Sequence, residues 1–203
     1  MLEKSTHSPE EETLLAGGRR VRADAQRNLV TLLEAAKAVF AEAGVDAPVR
    51  DIAERAGVGI GTVYRHFPRR ADLIAAVFRQ ELDNCADAAD AFALTHPPFE
   101  ALALWMRRFV KLLVTKQGLA QAIHSGDPAY DALPARREER LRPAFHALFN
   151  AALAAGEIRT DVGADEFLAA AVSVCNSGSA SGLEQAQRLV DLLVDGLHAP
   201  RSA

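Results

Sequence analysis

The stretch that most constrains this chain is PVRDIAERAGVGIGTVYRHF, Pro48 to Phe67. It reads as two short helices joined by a tight turn. Pro48 suits the first position of a helix, where its missing N–H costs nothing. Val49, Ile52, Ala53 and Ala56 fall at i, i+3, i+4 and i+7 and make one apolar face. Gly57 stands where a left-handed helix end is expected, followed by Val58 as a buried plug and by Gly59. A second short helix carries Val63 and Phe67 inward, which turns Thr62, Tyr64, Arg65 and His66 outward. Two helices around a short glycine-containing turn form a helix-turn-helix. The outward row mixes a hydroxyl, a phenol, a guanidinium and an imidazole, groups that can donate to phosphate oxygens or reach base edges. An ordinary helical hairpin with a polar outer face has the same apolar pattern, and periodicity alone does not separate the two.

The longer string does. GTVYRHFPRRADL, Gly61 to Leu73, closely resembles the DNA-binding signature of the TetR family of one-component bacterial transcriptional regulators. The resemblance runs from Arg27 to Cys85: an opening helix with AAKAVFAEAG, the IAERAGVGIGT turn, then YRHF and a following helix. The remainder matches only in length, helicity and arrangement. The resemblance implies an all-α protein, with a three-helix helix-turn-helix head and a C-terminal helical body for ligand binding and dimerisation. The function it implies is sequence-specific DNA binding, by a repressor that a small-molecule effector releases from its operator. A ligand-independent regulator or an activator with the same head is the alternative. Family roles carry over to Arg27 near the start of the first helix and to the recognition helix. There Thr62 and Arg65 are expected nearest to bases, with Tyr64 and His66 on phosphates and Gly61 allowing close backbone approach. Arg70 stands where the family usually has lysine, and either cation can neutralise a phosphate. Arg50, in the first turn of its helix, can hold a phosphate together with backbone amides.

Charge agrees with this division of labour. The net charge of −4 looks wrong for a DNA binder until it is resolved along the chain. Residues 19–70 hold ten Lys/Arg against six Asp/Glu, whereas the segments on either side are net acidic. Basic charge is concentrated where the motif is, as DNA reading requires. Alanine and leucine abound, aromatics are 6%, and no strand-like alternation is sustained, so an all-helical chain of about nine helices is expected. Cys85 and Cys175 lie far apart without metal-ligand neighbours, which supports neither a disulfide framework nor a metal site. No leader and no long uncharged apolar run is present, so a cytoplasmic protein with no membrane partner and no cofactor is expected.

In chain order, residues 1–18 read as a disordered acidic tail, 19–85 as the DNA-binding domain and 86–203 as the ligand-binding and dimerisation domain. Arg19, Arg20 and Arg22 form a basic arm that either touches DNA or is simply solvated. The first helix runs from about Asp24 to Ala43, and the fourth from Arg70 to Asp87, where the family bridges head and body. His96-Pro97-Pro98 breaks the chain. Phe99 to Thr115 carries a wide apolar stripe, and Gly118 to His124 suggests a short helix. Ser125-Gly126-Asp127-Pro128 reads as a turn, and Pro134 to Ala155 as a long helix. Its Arg136-Arg137-Glu138-Glu139-Arg140 run reads as a solvated face. The last two helices, Ala164 to Cys175 and Leu183 to Leu197, are more apolar than one-sided packing needs. In the family these two pair with their copies, which implies a homodimer.

Trp105, Phe109, Phe145, Phe149 and Phe167 lie on inward stripes of three helices. Simple core filling accounts for any one of them. Together they have the composition of aromatic pocket walls, with His124, Cys175 or Asn176 as polar groups that orient a ligand. The effector expected there is a largely apolar or aromatic compound with one acidic or hydrogen-bonding group. An enzyme would have to use Cys175, or His124 with Asp127. A thiol in an alanine-rich helix is more often an inert core residue, and no phosphate loop or nucleophile elbow occurs.

Overall fold

Helix-forming alanine, leucine and charged residues dominate the chain, and helices are what they build. The computed structural model describes residues 27–118, 123, 125–177 and 182–198. These form α1 (27–43), α2 (Val49–Ala56), α3 (Ile60–His66), α4 (Arg70–Thr95) and α5 (Pro98–Gly118). A 3-10 turn (Pro128–Tyr130) follows, then α6 (Leu133–Ala154), α7 (Ala164–Ser177) and α8 (Gly182–Asp195). Among the described residues the only β pairing is an isolated bridge between Ile158 and His198. The all-α class read from the sequence is the class observed. The acidic tail, the arginine arm, most of the expected short helix at 118–124 and His124 itself lie outside the described residues.

Two compact units divide the chain, Met1–Pro68 and Arg69–Ala203. All of α4, the buried Cys85 included, belongs to the second unit.

In the first unit, Leu32, Leu33, Ala36, Val39 and Phe40 of α1 are buried, as are Ile52 and Ala53 of α2 and Val63 of α3. Large aliphatic and aromatic side chains buried this way stabilise by about 1.5–3 kcal/mol each. Gly57 closes α2 at φ 69°, a left-handed conformation that favours glycine. Its N–H donates to the Glu54 carbonyl at 3.1 Å, and the Val58 N–H donates to Ala53 at 3.0 Å. The turn expected from the sequence is therefore present, with two adjustments. Pro48 caps α2 from outside the helix, and Val58 is half-buried, not a sealed plug.

In the second unit α5 is central: Leu102, Trp105, Met106, Phe109 and Val110 are all buried, and α4, α6, α7 and α8 each pack against it. α4 runs on to Thr95, well past the end expected near Asp87. Nothing in AADAFALT breaks a helix, and the stop comes only where Pro97 forces His96 into extended backbone. α6 likewise continues through Pro143, because Leu141, Phe145 and Leu148 bury the face on either side of it. The charged run on α6 is not a simple solvated face. Arg136 donates through Nε and Nη2 to the two carboxylate oxygens of Asp83 on α4, each at 2.8 Å, and Arg140 pairs with Asp87. Spacing within one helix cannot reveal such pairs, because their partners lie 53 residues away. α8 buries Ala186, Val190 and Val194, which leaves Leu189 36% and Leu192 67% exposed. Leu189 thus sits at the edge of the buried stripe, and Leu192 faces water.

Candidate nucleic-acid interface and cavity

α3 owes its polarity to one buried anchor. Val63 turns inward, and the rest of a seven-residue helix is left to present Ile60, Gly61, Tyr64, Arg65 and His66 to solvent, with Thr62 half-buried. Tyr64 is 51% exposed. Arg65 lies back along its own helix: Nε donates to the Gly61 carbonyl at 3.2 Å and Nη2 to the Thr62 hydroxyl at 3.3 Å. The two side chains expected nearest to bases, Thr62 and Arg65, are therefore in contact, and a base edge would compete only with two exposed hydrogen bonds. Arg50 is exposed in the first turn of α2, and Arg27 is exposed at the start of the described chain. The site residues from 27 to 66 thus all belong to the first unit, and five of them share α3. Arg70 opens α4 in the second unit.

The neighbour of Arg70 is the cation the sequence reading passed over. Arg69 caps α4 and holds Asp72 at 2.5 Å, while its Nη1 reaches Asp127 at 3.3 Å. The hydrogen bond from Arg69 keeps the Asp72 carboxyl below its ordinary pKa. A carboxyl lowered on folding adds stability at neutral pH and loses it as pH falls through the lowered value, so this tie is closed at neutral pH. Asp127 is fixed by its own turn, accepting from the Ala129 N–H at 2.9 Å to cap the 3-10 turn.

That turn forms part of the wall of a cavity of about 1150 Å³ inside the second unit. Phe78 and Leu82 of α4, Trp105 and Phe109 of α5, and Leu168 and Val172 of α7 supply apolar surface. The Trp105 indole stacks on Phe109 with centroids 5.3 Å apart and planes 9° apart. Its N–H is already committed, donating to the Cys85 carbonyl at 2.8 Å. Trp105, Phe109 and Asn176 line this cavity. Phe145, Phe149 and Phe167 do not. They pack on one another at 5.7–6.3 Å as a closed aromatic cluster beside it. Helical spacing marks all five as inward and cannot say which wall a void will meet.

Besides Asn176, the polar part of the wall is made of charged residues that the sequence reading did not assign to a pocket. Arg142 pairs with Glu138 at 3.5 Å and with Asp165 at 2.8 Å, and Arg137 pairs with Glu138 at 2.7 Å. Like Asp127, all four of these residues line the cavity.

Neither cysteine is equipped for nucleophilic work. Burial pushes the Cys85 thiol up to about 12, and burial raises Cys175 as well. A thiol is reactive only as thiolate. Both thiols are expected to resist a disulfide reagent at pH 8 in the native protein and to react at once in denaturant; fast native labelling would contradict this burial. Among the described residues no three His, Cys, Asp or Glu side chains gather as metal ligands, and no helix is long and apolar enough to cross a membrane.

Comparison with known proteins gives concordant matches. Residues 32–77 match the family model for bacterial regulatory proteins of the tetR family. Residues 97–199 match the C-terminal domain of SbtR-like transcriptional regulators. Among solved structures, the chain is 39% identical to the TetR transcriptional regulator SCO0520 of Streptomyces coelicolor, with TM-score 0.72, over 85% of this chain and 98% of that one. It is 33% identical to a TetR regulatory protein of Mycobacterium vanbaalenii, with TM-score 0.67, over 88% and 99% of the two chains. Curated relatives include the transcriptional repressor KstR of Mycobacterium tuberculosis, 26% identical over 64% of this chain and 60% of that one. HTH-type regulators of Staphylococcus aureus are 29% identical over 53% of this chain, and the match spans only 59% of their own length.

Proposed function

The chain belongs to the TetR family of bacterial transcriptional regulators, which bind DNA and are not enzymes, and from that membership we propose that it is a dimeric, ligand-released repressor. DNA binding is assigned to the first unit, and effector binding and dimerisation to the second. The observation that carries the switch is the double role of Asp127, which lines the cavity and holds Arg69 at the first turn of α4. α4 follows α3 in the chain with only Phe67, Pro68 and Arg69 between them. A ligand that displaces the turn around Asp127 would disturb the start of the helix to which the recognition helix is tethered. To release DNA it must bind the released arrangement better, and that difference, typically about 1–3 kcal/mol, is the whole coupling.

The cavity favours a ligand with an apolar or aromatic body, because Phe78, Leu82, Phe109, Leu168 and Val172 give it apolar surface and the Trp105 N–H is already committed to Cys85. Arg137 and Arg142 already hold carboxylates, so an acidic group on the ligand would have to displace Glu138 or Asp165. Repression, over activation, is supported by the relative named as a repressor. Localisation in the cytoplasm follows from the same reading.

In the groove, Thr62 and Arg65 face bases while Tyr64 and His66 meet phosphates, with Arg27, Arg50 and Arg70 on the backbone alongside. Tyr64→Phe removes one phosphate hydrogen bond and is expected to weaken binding by about 1 kcal/mol, equally for all sequences. Arg65→Ala is expected to change base preference, because the side chain leaves its own helix to read an edge. Footprinting on DNA flanking the coding region, followed by gel shifts with these variants, tests both. Substitutions at Tyr64, Arg65 and His66 that leave operator affinity intact would refute the assignment.

A further inference from the structure

Ile60 opens α3 with its side chain 46% exposed. Isolated exposed apolar residues are ordinary on a protein surface, so exposure alone says nothing. Its position does. Ile60 and Tyr64 are one turn apart and share a flank of the helix, next to Gly61 and Arg65. Gly61 has no Cβ, and a Cβ built there would meet nothing within 4 Å, so at that position no side chain stands between Ile60 and an approaching surface. A branched hydrocarbon at this point is a poor partner for phosphate and for most base edges. The major groove offers one apolar group that suits it, the C5 methyl of thymine.

We propose that Ile60 is a specificity-determining residue, packing on the C5 methyl of one thymine in each operator half-site. The assignment rests on the reading that α3 enters the major groove. It accounts for an aliphatic side chain that the fold leaves nearly half exposed and that has no polar atom to offer DNA. It also completes the face: Tyr64 and His66 position the helix on phosphate, Arg65 reads an edge by hydrogen bonding, and Ile60 reads a methyl by contact.

Deoxyuridine differs from thymidine only by that methyl, which makes the test selective. The probe is a duplex enriched by the full-length protein from a random pool, with each thymine replaced singly by deoxyuridine. For the unmodified protein, one position per half-site is expected to lose about fourfold in affinity, and about sixteenfold when both half-sites are changed. Ile60→Ala is expected to be indifferent to deoxyuridine there while keeping its sensitivity to other base changes. Ile60→Val, which keeps a branched hydrocarbon, is expected to retain the discrimination in part. Equal deoxyuridine sensitivity in the unmodified protein and in Ile60→Ala would overturn the assignment, as would no sensitivity at any thymine. Failure to enrich any duplex would be a different result: it would overturn the groove reading and this assignment with it.

Discussion

Replacing Leu189 and Leu192 together with glutamate is expected to leave the protein monomeric and to cut operator affinity by at least about a thousandfold, the low end of the gap between specific and non-specific binding. The surface involved is α8. Its inner face is satisfied by Ala186, Val190 and Val194, yet Leu192 is 67% exposed and Leu189 36% exposed on the side left over. A helix that is apolar on more than one side has a second partner to cover. A two-fold copy is the simplest one, because an isologous interface needs only one self-complementary patch. One seven-residue recognition helix reads too few base pairs for operator specificity, whereas a two-fold pair reads half-sites about one helical turn apart. Two carboxylates placed against their own copies would be desolvated without partners, and the dimer would not form. Light scattering gives the mass and fluorescence anisotropy the affinity. A monomer for the unmodified protein at micromolar concentration would refute the dimer. A double variant that stays dimeric would move the interface away from this face of α8.

Phe145→Ala is expected to destabilise the second unit by about 3–5 kcal/mol, the usual cost of truncating a fully buried aromatic. Phe145 is 0% exposed and stands at the centre of the aromatic cluster, with ring centroids 5.7 Å from Phe149, 5.8 Å from Trp105 and 6.3 Å from Phe167. The four rings come from three helices, so no single neighbour can move in and fill the gap. Urea denaturation should show a lower midpoint with an unchanged slope. A loss below about 1 kcal/mol would mean that the cluster collapses around the void, a smaller cost than any in the usual range for such truncations. Phe109→Leu makes the complementary comparison. Phe109 lines the existing cavity, so losing part of its ring enlarges a void already present and is expected to cost less.

How much of this was legible beforehand differs by element. The turn at Gly57, the inward Val63 and the outward Tyr64, Arg65 and His66 could be read from spacing, because a short helix on one anchor has only one way to face; Thr62 is half-buried instead of fully outward. Ile60 could have been found by the same wheel. Its hydrocarbon side chain carries no polar signal that marks it for DNA. The length of α4 was readable in principle, since Pro97 is the first true breaker after Arg70.

Other features had no sequence signal at all. Phe109 and Phe145 have the same chemistry and the same helical phase, yet one lines a cavity and the other is sealed in a cluster. That difference depends on where α4, α5, α6 and α7 leave space between them. The pairs Arg136–Asp83, Arg69–Asp127 and Arg142–Asp165 are equally invisible, because each joins segments far apart in the chain. By itself the sequence determined the helices, the reading head and the side of each helix that turns inward. Those depend on propensity, breakers and a 3.6-residue period, all of which act within a few residues. Only the tertiary structure decided which inward residues border a void and which charges meet, because both depend on distances between helices that no local rule specifies.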